Sequence, residues 1–292
     1  MSTITRIKGV IDNPELPVIT AGGLENVYYG KFVNGLDEQG YYMTTAQQNA
    51  VKDFINYLQD NELIEYIQTI FPLIGNSTNV NAAKVPIIGD KLLDFPVDFS
   101  GFTFDSSNNI VGIDSMPAIS SVKMSDVQPN DALFGAAVSL NKDATPSSEF
   151  NARIFDFDGS YHLRYQKSGN NEYFAIYGRS DGTLTACVAN DQLDKTAAGT
   201  AYAMAIFESP DGQYVRYMNF NEATASTSGS SSSRKPTPTS ADLAKTITAR
   251  SAVSPITAWT SFTFFNKMMT KSQSVLYMQG LKTFIEALGK NI

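Results

Sequence analysis

The residues able to do chemistry are few and scattered. The chain has one histidine, His162, set between Tyr161 and Leu163 in an alternating run (161–167). A Ser-His-Asp relay could form only around it, and no Gly-x-Ser-x-Gly elbow accompanies it. A structural histidine on a sheet face is the expected reading. Asp156 and Asp158 alternate about Phe157, immediately before Gly159. Two carboxylates on one strand face could serve glycoside hydrolysis. With a third oxygen they could also begin a calcium site, which takes about six to eight oxygen ligands. Asp at a strand end before glycine more often starts a turn. No catalytic, cofactor-binding or metal-ligating residue is therefore assigned, and calcium at Asp156 and Asp158 stays open. Tyr161, Tyr165, Tyr173 and Tyr177 lie on two adjacent hairpin strands. An aromatic row of this kind can stack on sugar faces, so these four are the glycan-contact candidates. Packing in a sandwich interior or a subunit contact is the competing reading.

Composition narrows the class. The 292 residues are 42% hydrophobic and only 17% charged, so a large core is available and the polar surface is built from Ser, Thr and Asn. The net charge of −7 argues against a nucleic-acid-binding surface. Arg234-Lys235 is an isolated basic pair in a polar loop. Cys187, the single cysteine, allows no intrachain disulfide and reads as a small buried hydrophobe. No signal-peptide core and no run of about 20 apolar residues occurs, so synthesis in a cytoplasm without membrane insertion is expected.

These residues must be positioned by a β-rich frame. Residues 1–43 are broken by Pro14, Pro17 and Gly22-Gly23, and are expected to form an arm with a strand over 27–33. The arm either lies on its own domain or docks on a partner. A helical pair is expected over 44–76: Thr44 or Thr45 caps the stripe Ala46, Ala50, Val51, Phe54, Ile55, Leu58, and a second stripe runs through Leu63, Ile64, Ile67, Ile70 and Phe71. From 133 to 220, seven candidate strands recur at roughly ten-residue spacing with Asp-Gly, Gly-Asn and Pro-Asp-Gly turns. This predicts an antiparallel jelly-roll sandwich rather than a parallel α/β sheet. Residues 223–241 hold no side chain larger than Ala among the apolar types and read as a loop inside the domain. Phe262 and Phe264 alternate with Ser261 and Thr263 as a half-buried strand. Thr270 and Gln273 form a capping-box pattern, and Tyr277, Leu281, Phe284, Ile285 and Leu288 follow at helical spacing up to Gly289. A closing helix over 271–288 is predicted.

IQTIFPLIG (67–75) and LYMQGLKTFIEALGK (276–290), separated by the β-rich stretch, resemble in order and spacing two blocks of a group of phage proteins. These are virion and tail-associated proteins of tailed phages with Bacteroides-type hosts, which carry a concanavalin-like, LamG-type jelly roll. The resemblance covers about residues 50–292. It departs where an acidic residue usually precedes the last helix and Lys271-Ser272-Gln273 stands here, and where a Gly-Thr-rich stretch after the first block is missing.

The resemblance implies a non-enzymatic structural component of the virion surface, a head or tail fibre or decoration. The expected partners are other virion proteins, copies of itself (a trimer) and host surface polysaccharide. A sandwich over 77–292, preceded by the helical pair and the arm, would make the host contact. A carbohydrate-binding module and a glycan-degrading enzyme are the alternatives.

Overall fold

The computed structural model describes residues 24–89, 256–267 and 269–290, together with Ser125, Ala244 and the elements named below between 102 and 248. Residues 1–23, Asp158, Tyr161, Cys187 and most of 223–241 lie outside the described residues.

Two helices open the described chain, α1 (Leu24–Glu38) and α2 (Thr45–Asp60). The first is a correction, because 27–33 reads as a strand from its Val, Tyr and Phe content. Helical spacing instead drops Phe32 and Leu36 into the core, and tertiary burial overrides local β propensity. α1 ends in a Schellman turn: Gly40, at φ 69°, donates to Asp37 O, and Tyr41 N donates to Leu36 O. α2 is capped as expected, although Ala46 in its first turn is exposed and the buried stripe starts at Ala50. The Gln47 N–H donates to Thr44 Oγ1 (3.2 Å), and Thr44 N–H donates back to Gln47 Oε1 (2.9 Å).

The second expected helix is also corrected. After one 3-10 turn at Ile64–Tyr66, residues Ile67–Phe71 form strand β1. A short apolar run cannot be divided between helix and buried strand by periodicity alone. Glu62, in the left-handed region at φ 55°, stops α2, while Pro72 follows the strand at once.

The strands form two antiparallel sheets. The first contains β1, β2 (Phe102–Phe104), β3 (Ile110–Gly112), β5 (Gly135–Lys142), β10 (Gly199–Phe207), β11 (Val215–Asn219), β12 (Ala225–Ser226) and β14 (Ile256–Phe265). Its order is β12-β11-β10-β5-β14-β3-β2, with β1 also paired to β14. The second contains β4 (Ala118–Lys123), β6 (Phe150–Asp156), β7 (His162–Ser168), β8 (Asn171–Ser180), β9 (Thr183–Ala186) and β13 (Thr246–Thr248), in the order β4-β13-β6-β7-β8-β9. The chain passes between the sheets repeatedly, and all seven strands expected from 133 to 220 have counterparts. A short helix α3 (Ser240–Leu243) precedes β13, and α4 (Lys271–Ala287) closes the chain.

The core joins residues from both ends of the described chain. Phe71 pairs with Phe262 and Thr69 with Phe264 between β1 and β14. α4 packs on α2, where Phe54 and Phe284 stack at 4.4 Å and 4°. Residues 260–265 are all buried, so this part of β14 is covered on both faces rather than half-buried as its alternation suggests. On the helix side, the Tyr277 hydroxyl hydrogen-bonds Thr263 Oγ1 and its ring meets Phe265 edge-on. Gly280 lets α4 approach α2, because a Cβ there would collide with the Tyr57 ring. The Tyr57 hydroxyl in turn donates to Leu276 O (2.8 Å). The Thr270–Gln273 capping box forms, and Gly289 at φ 70° closes a Schellman turn with Lys290 N donating to Ile285 O. Buried Lys290 then donates through Nζ to the carbonyls of Pro72 (3.1 Å) and Leu73 (3.0 Å).

Candidate functional site

Chemistry-bearing residues converge on β6, β7 and β8 of the second sheet. The register sets Asn151 opposite Gln166, Arg153 opposite Arg164 and Asp156 opposite His162 between β6 and β7. Between β7 and β8, His162 is opposite Tyr177, Arg164 opposite Ala175 and Gln166 opposite Tyr173. Directly opposed residues of an antiparallel pair belong to the same face, and successive residues alternate between faces. One alternate set therefore reads Asn151, Arg153, Asp156 on β6, His162, Arg164, Gln166 on β7, and Tyr173, Ala175, Tyr177, Arg179 on β8. The other set reads Ala152, Phe155, then Leu163, Tyr165, then Phe174, Ile176. One is polar and the other largely apolar, the division expected of a sheet with one packed face.

A register shift between Arg153 and Phe155 produces this grouping. Ile154 is the extra residue on β6. Without that bulge Asp156 would fall in the apolar set. Bulges re-aim residues in this way and occur next to functional sites.

The four glycan-contact candidates are thereby divided. Tyr173 and Tyr177 occupy the polar set, four residues apart, about 13 Å along the strand. Tyr165 is opposite Phe174 in the other set, so it does not extend their row. Tyr161 lies outside the described residues, as does Asp158 of the open calcium pair. Asp156 comes to the end of β6, opposite His162 and also opposite Thr248 of β13. Sequence reading missed the arginines, because Arg153, Arg164 and Arg179 become neighbours only through strand pairing. Their one visible signal is the alternation of 151–155 and 162–166 with aromatic and aliphatic residues.

A concavity lies where α1 meets α2. It is a shallow groove of about 250 Å³ bordered by Leu36, Asp37, Tyr41, Met43 and Gln48, with Tyr42 at its edge. The Tyr42 side chain is 77% exposed. Among the described residues, no group of three or more His, Cys, Asp or Glu residues could hold a metal ion, and no helix is long and apolar enough to cross a membrane.

The architecture defines a class: two antiparallel sheets with helices before and after them in the described residues. No family model matches the sequence, and no curated protein matches it. Among solved structures, the chain is similar to a mutant of the GH43 protein BlXynB from Bacillus licheniformis. That match has 8% identity and a TM-score of 0.38, over 67% of this chain and 39% of that one. Trypanosoma rangeli sialidase matches at 8% identity and a TM-score of 0.37, over 81% and 39%. Domain 4 of AbnA, a GH43 extracellular arabinanase from Geobacillus stearothermophilus in complex with arabinotriose, matches at 9% identity and a TM-score of 0.36, over 73% and 99%. The chain thus spans well under half of the first two proteins. Likenesses of this strength carry nothing over to this chain about fold family or activity.

Proposed function

We propose that this protein is a structural component of a tailed-phage particle, a head or tail fibre or decoration. Its two sheets form a concanavalin-like jelly-roll sandwich offered to host surface polysaccharide, and the protein is not an enzyme. The observation that carries this reading is the joining of the two resemblance blocks. β1 of the first block pairs with β14, which leads into the second, and Lys290 at the end of the second donates to the Pro72 and Leu73 carbonyls of the first. The segments that carry the resemblance are thus architectural, as a display scaffold requires. The polar set on β6–β8, with Tyr173 and Tyr177, supplies the contact face.

A carbohydrate-binding module acting outside a particle is the second reading, favoured by the same two tyrosines. Immunogold labelling of purified phage particles with antibody against the full chain separates them. Regular labelling at one particle position is expected. Particles free of label, with the protein found only in the soluble fraction, would reject the virion role. Unaltered polysaccharide length after incubation with the protein is expected for a non-enzyme, and shortening would overturn that part.

A further inference from the structure

We propose that the polar set on β6, β7 and β8 binds an anionic saccharide, a sugar bearing a carboxylate or a sulfate. The inference rests on the glycan-contact part of the reading above and not on the particle setting.

Arg153 and Arg164 are direct register partners on adjacent strands. Like charges opposed across a sheet are destabilising by a few tenths to about 1 kcal/mol. An anion bound beside them turns that repulsion into a clamp, because the planar guanidinium matches carboxylate or sulfate oxygens two at a time. Arg179 lies in the same set, two positions beyond Tyr177 on β8. Three of the seven arginines of an acidic chain therefore share one alternate set, while Lys167 falls in the other. Asp156 is the single carboxylate of that set among the described residues. Tyr173 and Tyr177 supply what an inorganic anion does not need, two flat aromatic rings about 13 Å apart along a strand, suited to separate, non-adjacent rings of an extended chain. A net charge of −7 acts against every polyanion alike, so single-stranded DNA serves as the control that separates saccharide recognition from charge alone.

The test uses the full chain and titration calorimetry against polygalacturonate (carboxylate), chondroitin sulfate (both groups), dextran sulfate (sulfate), neutral dextran and single-stranded DNA. Binding at least about tenfold tighter to one anionic polysaccharide than to dextran or DNA is expected. Arg153→Gln with Arg164→Gln should weaken it by at least about tenfold with the thermal unfolding midpoint unchanged or raised, and Tyr173→Ala with Tyr177→Ala should also weaken it. Arg153→Lys with Arg164→Lys should restore only part, since charge returns without the two-pronged geometry. If the glutamine pair does not fold, the wild type decides: its affinity must fall as salt rises from about 50 to about 200 mM. Absence of binding to all three anionic polymers, equal binding to dextran, preference for DNA, or indifference to the arginines and to salt would each overturn the proposal. None of these outcomes bears on particle labelling, and unlabelled particles would leave this binding test standing.

Discussion

At the scale of single residues, two side chains sit in positions whose cost is calculable. Glu62 occupies the left-handed C′ position of α2, donating to Gln59 O while Leu63 N donates to Leu58 O. The same role at the ends of α1 and α4 falls to Gly40 and Gly289, which adopt it without the Cβ penalty. Glu62→Gly should therefore stabilise the fold by about 1 kcal/mol, the strain removed less the entropy added to the unfolded chain. A urea midpoint that moves downward would contradict this. Tyr277 is the second case. Burial pushes its phenol well above the ordinary value of about 10, outweighing the opposing hydrogen bond from Thr263, and burial also raises Tyr57. Raised pKa values of this kind stabilise the fold fully while both states remain protonated. Stability should therefore be flat near neutrality and decline as pH climbs above about 10, where only the unfolded chain ionises. Tyr277→Phe should flatten that alkaline decline and cost about 1–2 kcal/mol at neutral pH, through the lost hydroxyl partner of Thr263. Melting curves from pH 7 to 11 check both parts.

At the scale of elements, the α2–α4 seam sets the helix spacing through one missing methyl. Alanine is intrinsically better than glycine in a helix by about 1 kcal/mol. At 280, however, the new Cβ would meet the Tyr57 ring, whose hydroxyl is tied to Leu276 O. Either the ring leaves that bond or α4 moves off α2 and loosens the Phe54–Phe284 stack. Gly280→Ala should destabilise by about 1–3 kcal/mol despite its helix propensity, as overpacking does. A denaturation midpoint at or above the wild type would refute it. Elements marked by local chemistry were legible in the sequence. The Thr44–Gln47 and Thr270–Gln273 boxes and the Gly289 stop form as read, and Gln273 performs the N3 role despite the missing acidic residue. Elements decided by distant partners were not. Residues 27–33 look like a strand until Phe32 and Leu36 find the core, and Ile67–Phe71 look helical until β14 supplies hydrogen bonds. The site follows the same rule. The tyrosine alternation is local, but the Ile154 bulge and the Arg153–Arg164 pairing exist only once β6 meets β7.

At the scale of the whole molecule, the N-terminal and C-terminal thirds cannot be separated. An arm over 1–43, a helical pair over 44–76 and a sandwich over 77–292 suggest three detachable parts. The packing cuts across those boundaries: Phe32, Leu36 and Tyr41 share one core cluster with Phe54, Ile70, Tyr277 and Phe284. Removing 1–76 would strip α4 of α2, leave the β1-facing edge of β14 open at Phe262–Phe265, and take away both carbonyls that receive Lys290. Each large side chain so exposed forfeits about 1.5–3 kcal/mol. Several together exceed the whole stability of a typical domain, about 5–15 kcal/mol. The 77–292 fragment should therefore be soluble only as aggregate and show no cooperative melt, whereas a chain lacking only 1–23 should keep the core residues named here. Size-exclusion chromatography and calorimetry of the two truncations decide the matter. A monomeric 77–292 fragment with a sharp transition would show that the second sheet, β14 and α4 hold together without α1 and α2. In that case binding by the β6–β8 set could be assayed in isolation.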